Sequence, residues 1–262
     1  MQSSQVKSAT RAIEILELFK RIRQPRAMSE IAQALNYPQS STTVLLKTLV
    51  TLGYLHFDRR ERLYFPTPKV AALGDWVPRA LFGNSRVLDA MRDVHAATGE
   101  SVAINIKNDV YVQYVQVLQS VHALRFHVEE GTVRPLTQTG LGWTLMSTMT
   151  DEKIDNIVRR ANLATEKSKR VTISDMMEKV REIRAKGYGF AENIPFPGGA
   201  TLCLVLPVTI HGQAAVLGLG GAAGRIRQNH DRYLSILRHA VSSVQPSDLI
   251  EQPGDQTIDI GS

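Results

Sequence analysis

Between Pro38 and Gly53 the chain carries a row of hydrogen-bonding side chains, Gln39, Ser40, Ser41, Thr42 and Thr43, followed by Leu45, Leu46, Leu49 and Leu52. Amide and hydroxyl groups crowded into the first turns of a helix suit contact with phosphate oxygens and base edges. The free backbone N–H groups of the same turns attract anions. With the leucines turned inward, Gln39, Ser40, Thr43 and Lys47 face outward. Further on, Arg59, Arg60 and Arg62 stand in a charged turn between two strand-like runs. Guanidinium groups there can lie along a phosphate backbone or enter a minor groove.

Bond-making chemistry finds little support. No G-x-S-x-G run occurs, and the seven histidines show neither H-x-H nor H-x-x-x-H spacing, so neither a metal nor a cofactor is expected. Glu129 and Glu130 are adjacent, and on a strand they point to opposite faces. Gly218, Gly220 and Ala223 fit a loose dinucleotide fingerprint, but they follow a late antiparallel hairpin, and glycines closing a strand explain them better.

Charge supports the first reading. The 262 residues carry a net +6. Up to Thr67 there are ten Lys and Arg against five acids, which leaves +5 there and +1 in the rest. A basic head on a near-neutral body fits an anionic partner at the head. Cys203 is the single cysteine, so no internal disulfide can form. The N-terminus lacks a signal-peptide pattern and no apolar run reaches membrane-spanning length. These features point to a cytoplasmic protein with no membrane partner.

The elements that must position these groups are legible. A helix over 9–20, capped by Ser8, turns Ile13, Leu16 and Phe19 inward with Ala12 and Ile15. Ser29 caps a helix over 30–35, and Pro38 opens the third as its first residue. Residues 55–65 form a hairpin. A connector helix over 69–76, broken at Pro78, leads to a longer helix over 81–98 that ends at Gly99. Beyond lie strands at 101–106, 110–117, 124–128, 188–192, 201–209 and 214–220, the last two joined by a tight turn at His211 and Gly212. Helices are expected at 141–149, after Asp151 as a cap, from a Ser174 cap to Lys186, and from Asn229 or Asp231 onward with Tyr233, Leu234, Leu237, Val241 and Val244 inward. The fold class is α+β. The predicted organisation is a winged helix-turn-helix over 1–67, a connecting helix over 68–80, a second domain over 81–246 with an antiparallel sheet, which the family resemblance below implies is effector-binding, and a disordered tail over 247–262.

The chain resembles the IclR family of bacterial transcriptional regulators. In the head the resemblance rests on Ala12-Ile13-Glu14-Ile15-Leu16, Ser29-Glu30-Ile31-Ala32, Pro38-Gln39-Ser40-Ser41 with Leu45-Leu46, and Leu49 with Leu52-Gly53-Tyr54. In the body it rests on Thr98-Gly99-Glu100-Ser101-Val102, Pro135-Leu136, Thr139-Gly140-Leu141-Gly142, Arg184-Ala185-Lys186-Gly187-Tyr188, and Pro197-Gly198 with Cys203 and Pro207. It implies a winged-helix DNA reader, a linker helix and an effector domain similar to GAF and PAS sensors. It also implies homodimers or homotetramers, a partly palindromic double-stranded operator, and a small organic or aromatic acid as effector.

Carried over residue by residue, the resemblance places Arg11 near phosphate. It places the Gly140-Leu141 backbone where a ligand carboxylate is held, Cys203 in the wall of the site, and Glu192 near the position of a family acid. Gly218 and Gly220 stand where some binders of small acids have serine, and Trp143 where lysine is frequent. Both changes point to a larger or less polar effector, an aromatic or medium-length carboxylate. The head departs from the family at Gln39, commonly basic, and at Thr43-Val44, commonly His-Arg. Lys47, Arg11 and the wing arginines must therefore supply more of the phosphate attraction.

The sequence thus reads as a ligand-responsive DNA-binding regulator of a catabolic operon, activator or repressor, with RNA polymerase a further candidate partner. Two other readings stay open. One is an enzyme acting on a small organic acid, with the head as an interaction module. The other keeps DNA binding but makes the second domain a ligand-free assembly module.

Overall fold

A computed structural model describes residues 6–82, 86–210 and 212–245, with the backbone alone for Pro78, Arg79 and Leu81. The chain divides into two compact units, Met1–Ala80 and Leu81–Ser262. The tail over 247–262 lies outside the described residues, as does His211, while Gly212 adopts a left-handed backbone with φ 69°.

The first unit runs α1 (Lys7–Ile22), β1 (Arg26–Ala27), α2 (Met28–Leu35), α3 (Gln39–Thr51), β2 (Leu55–Asp58), β3 (Leu63–Pro66) and α4 (Pro68–Ala72). Its core joins Ile15, Leu18 and Phe19 of α1 to Ile31, Leu46, Leu49, Leu55 and Tyr64. The inward face of α1 is therefore centred on Ile15, Leu18 and Phe19, and Ile13 is exposed. Two residues turn a helix by about 200°, so Ile13 and Ile15 cannot share a face. Leu52 is likewise exposed, because it caps the C-terminus of α3 instead of continuing its stripe.

Several helix starts differ from expectation by one or two residues. Ser8 and Ser29 lie inside their helices, and Val6 and Ala27 hold the cap positions. At α2 the Glu30 carboxylate accepts from the Ala27 N–H at 2.8 Å, which satisfies a donor that Ala27 has no side chain to help. Pro38 caps α3, and the helix proper opens at Gln39. Strand β1 was not foreseen. Arg26 and Ala27 pair with Tyr64 and Leu63, making a three-stranded sheet in the order β1-β3-β2. The connector is two short helices, α4 and α5 (Val77–Phe82), and Pro78 sits second in α5, where its missing N–H costs nothing.

The second unit continues with α6 (Arg86–Thr98), β4 (Ser101–Asn108), β5 (Tyr111–Leu118), β6 (Val133–Pro135), α7 (Gly140–Met146), α8 (Asp151–Ala164), α9 (Ile173–Lys186), β7 (Gly189–Glu192), β8 (Gly199–Ile210), β9 (Gln213–Ala222), α10 (Ala223–Gln228) and α11 (His230–Ser242). Thr150 and Thr172, not Asp151 and Ser174, cap α8 and α9. The six strands form one antiparallel sheet in the order β6-β5-β4-β9-β8-β7.

Strand alternation divides the interior in two. Val102, Ile104, Leu202, Leu204, Leu217 and Leu219 pack with residues of α6 and α11. Ala103, Cys203 and Val216 point the other way, toward α7, α8 and α9. Residues 124–128 are not a strand. Side chains take their backbone groups instead: the Gln119 amide donates to Val128 O and Arg225 Nη2 donates to Leu124 O at 3.3 Å. The third strand of that edge is β6, whose Arg134 pairs with Val112.

Candidate DNA-reading face and effector cavity

Hydroxyl groups at the start of α3 are largely committed to their own helix. Ser41 and Thr42 both donate to Pro38 O at 3.0 Å, Thr43 to Gln39 O at 2.8 Å and Thr48 to Val44 O at 2.9 Å. Each such oxygen keeps lone pairs and remains an acceptor. Gln39, Ser40 and Lys47 are exposed, and Thr43 is half-buried. Val44, which sequence reasoning passed over, is 64% exposed on the same side, four residues after Ser40. An apolar side chain offered to solvent there can meet a thymine methyl group.

Arg11 belongs to this face. Its guanidinium lies 4.6 Å from the Tyr37 ring centroid and donates to Ser41 Oγ at 3.5 Å. At the wing, Asp58 Oδ1 accepts from the N–H groups of Arg60 and Glu61 at 2.8 and 3.1 Å. These bonds hold the Asp58 carboxyl below its ordinary pKa. The turn they tighten leaves Arg59, Arg60 and Arg62 exposed. Arg62 adopts a left-handed backbone, φ 59°. One concavity is lined by Ser29, Thr43, Phe57, Arg62 and Tyr64, so recognition helix and wing share a surface.

In the second unit the cavity of interest lies on the face that carries Ala103. Its walls include Ala103, Tyr114, Val117, Leu141, Thr201, Gly218 and Gly220, with Phe126 and Val128 from one loop and Ile194 and Phe196 from another. Phe126 and Phe196 stack across it, centroids 5.4 Å apart and planes 7° apart. Among the described residues no charged side chain lines it. The space left is about 70 Å³.

Three of the seven residues carried over from the family line this cavity: Leu141, Gly218 and Gly220. Gly218 adds no room. A methyl group there would stand 2.4 Å from Leu141 Cδ2, so Leu141 already occupies the space. Gly140 is buried behind Leu141, and its N-cap Thr139 accepts from Gly142 N at 2.9 Å. Cys203 is fully buried, 3.1 Å from Thr144 Oγ1 and within 3.7 Å of Gly140 O. Burial pushes its thiol up to about 12. Trp143 faces elsewhere. Its Nε1 donates to Thr137 O at 2.9 Å, and its ring, with Lys179 Nζ 4.7 Å from the centroid, lines a separate hollow with Lys186 and Tyr188. Glu192 is tied to Arg227 at 2.9 Å and is not in the cavity wall.

Sequence reasoning missed the aromatic walls. Phe126 and Phe196 lie in irregular segments, and Tyr114 alternates inward on β5. Burial raises the Tyr114 hydroxyl above its ordinary pKa, against the opposing pull of the Arg134 guanidinium. A buried ion pair adjoins the cavity. Glu100 is bound by Arg225 through both carboxylate oxygens, one at 2.8 Å, and packs beneath Gly221.

Fold and surfaces together describe a winged-helix DNA reader joined to a sensor domain. Comparison with known proteins agrees. Residues 8–59 match the IclR helix-turn-helix domain, and residues 85–245 match the C-terminal domain of bacterial transcriptional regulators of the IclR type. The chain belongs to the IclR family. It is a transcriptional regulator with a DNA-binding domain and an effector domain, and its relatives are regulators rather than enzymes. It is 22% identical over 250 residues to the HTH-type transcriptional regulator KdgR of Escherichia coli strain K12, covering 93% of each chain. It is 54% identical to the crystallised effector domain of a transcriptional regulator IclR from Acinetobacter sp. ADP1, with TM-score 0.60, covering 63% of this chain and 96% of that one. The Thermotoga maritima IclR structure shares the fold at 17% identity, TM-score 0.74, covering 91% of this chain and 97% of that one. Among the described residues no helix is long and apolar enough to cross a membrane.

Proposed function

We propose that this regulator responds to an aromatic or medium-length carboxylate and controls an operon for its catabolism. The observation that carries the reading is the Phe126–Phe196 stack across a cavity with no charged wall. Such walls favour an apolar body, and stacked rings favour an aromatic one. About 70 Å³ is roughly half the ~150 Å³ of an apolar cavity that accepts benzene. A ring-sized guest therefore enters by parting the two phenylalanines, which links binding to movement of the loops that carry them.

In this reading Arg11, Lys47, Arg59, Arg60 and Arg62 supply phosphate attraction, while Gln39, Ser40, Ser41, Thr43 and Val44 face the bases. The protein acts as a homodimer or homotetramer on a partly palindromic site, because two heads related by a two-fold axis read two half-sites. Effector binding changes operator affinity by linkage, and contact with RNA polymerase translates occupancy into transcription. Leu141, Gly218 and Gly220 stay in the effector assignment, joined by Tyr114, Phe126 and Phe196. Trp143, Glu192 and Cys203 leave it, and Gly140 supports Leu141 from behind.

The test is a mobility shift on DNA upstream of the protein's own coding region, with and without benzoate, phenylacetate, hexanoate, pyruvate and glyoxylate. Specific retention altered by one of the first three acids is the expected result. Retention altered only by glyoxylate or pyruvate removes the aromatic reading.

A further inference from the structure

The cavity is uncharged, yet the charges beside it do not cancel. Glu100, under Gly221, is neutralised by Arg225. Among the described residues Arg134 has no such carboxylate partner. It reaches from β6 and lays its guanidinium 4.5 Å from the centroid of Phe196, a cavity wall. It also acts on the hydroxyl of Tyr114, another wall. Among the described residues no carboxylate forms an ion pair with Arg134, and its Nε is buried without a hydrogen-bond partner. A guanidinium carries only donors, so the phenol oxygen beside it acts as acceptor, which leaves the Tyr114 O–H to donate elsewhere. Arg134 as a whole is half-buried, and a partly desolvated cation with no anion beside it gains from one that compensates it.

Around the Gly140-Leu141 turn the space is closely packed by contrast. Leu141 covers Gly218, and the Thr139 hydroxyl takes the Gly142 N–H. Resting on the effector reading above, we propose that the effector's carboxylate is received by Arg134 together with the Tyr114 hydroxyl, at the end of the cavity where Phe196 stands, while its apolar body lies between Phe126 and Leu141. The chemical class follows: a monocarboxylate with an apolar or aromatic body, preferred over its neutral amide. Arg134 sets this preference, because the carboxylate alone gains a charge-assisted bond.

Calorimetry on the full-length protein tests this with benzoate, phenylacetate and hexanoate, each against its primary amide. The expected result is that an acid binds at least about tenfold more tightly than its amide, roughly what one charge-assisted hydrogen bond supplies. Arg134→Gln removes that discrimination, and Arg134→Lys restores part of it. Val117→Trp, which fills the cavity from a half-buried position, weakens acid and amide alike. Equal binding of acid and amide by the unaltered protein overturns the proposal without need of any variant. Acid binding that Val117→Trp abolishes and Arg134→Gln spares overturns the role of Arg134 and leaves the cavity reading standing. Failure of every acid and amide to bind the unaltered protein overturns both.

Discussion

Arg225 closes on both carboxylate oxygens of Glu100, a side chain with no exposed surface, across 125 residues of sequence. The same guanidinium donates to Leu124 O at 3.3 Å, in the loop that carries Phe126. One side chain therefore neutralises a buried charge and anchors a wall of the proposed effector cavity. Arg225→Met leaves Glu100 with only the His122 ring, 3.8 Å away, beside its carboxylate. It should cost about 3–5 kcal/mol, the usual penalty for breaking a buried pair from one side. Glu100→Gln in the same background should recover part of the loss. Denaturant unfolding of the two single variants and the double variant measures both.

Gly218 and Leu141 form a second coupled pair. A methyl group at Gly218 would lie 2.4 Å from Leu141 Cδ2, at the tip of a flexible side chain. Gly218→Ala should destabilise by about 1–3 kcal/mol, as overpacking does. Leu141→Ala, added to it, should then cost less than it does in the unaltered protein. A double-mutant cycle with no coupling would mean that Leu141 swings clear at no cost.

Cys203 predicts an alkaline limit to stability. Its thiol is raised from an ordinary 9.0 to about 12, with burial the largest cause. A raised folded value favours the protonated form, so the contribution is complete below pH 9 and is lost as pH rises toward 12. The total is on the order of 4 kcal/mol, from about 1.4 kcal/mol per unit. Thermal melts at pH 8 and pH 11 should show a smaller drop for Cys203→Ala than for the unaltered protein. Tyr114 and Tyr233 are raised as well and add a fall of the same sign above their ordinary value of 10.0, common to both chains.

The wing prediction concerns salt. Arg59 and Arg60 are exposed at the turn that Asp58 tightens, and Arg60 has only an exposed contact with Glu61, at 3.7 Å. If both meet phosphates, Arg59→Ala with Arg60→Ala should lower the slope of log affinity against log salt by up to about 1.8. Operator titrations at several salt concentrations read this directly. An unchanged slope would remove the wing from the phosphate contacts.

Much of the architecture was legible because it repeats a local rule. Leu46 and Leu49 recur at helical spacing, Gly99 and Gly187 end helices in left-handed conformations, and strands β8 and β9 alternate. Strand β1 escaped notice because two residues carry no periodicity, and its pairing depends on β3, far along the chain. Residues 124–128 look like a strand, but Gln119 takes the carbonyl of Val128 and Arg225 that of Leu124. The cavity was the least legible part. Its residue types could be seen, but whether Trp143 or Phe196 faced it depended on how α7 is rolled and on where two irregular loops meet. Neither leaves a mark in spacing.

At its centre the sheet face toward α7 carries small side chains, Ala103, Ala191, Cys203 and Gly218, beside Tyr114 and Val216, whereas its opposite face carries large ones, such as Ile104, Leu204 and Leu217. Most of the cavity's bulky walls therefore come from elsewhere: Leu141 from a helix, and Phe126, Val128, Ile194 and Phe196 from loops. Loops accept substitution and changes of length far more readily than a strand buried on both sides. In evolutionary terms the scaffold and the cavity wall are separable parts. A lineage can reshape the cavity by exchanging residues in two loops, without renegotiating the sheet that keeps the domain folded.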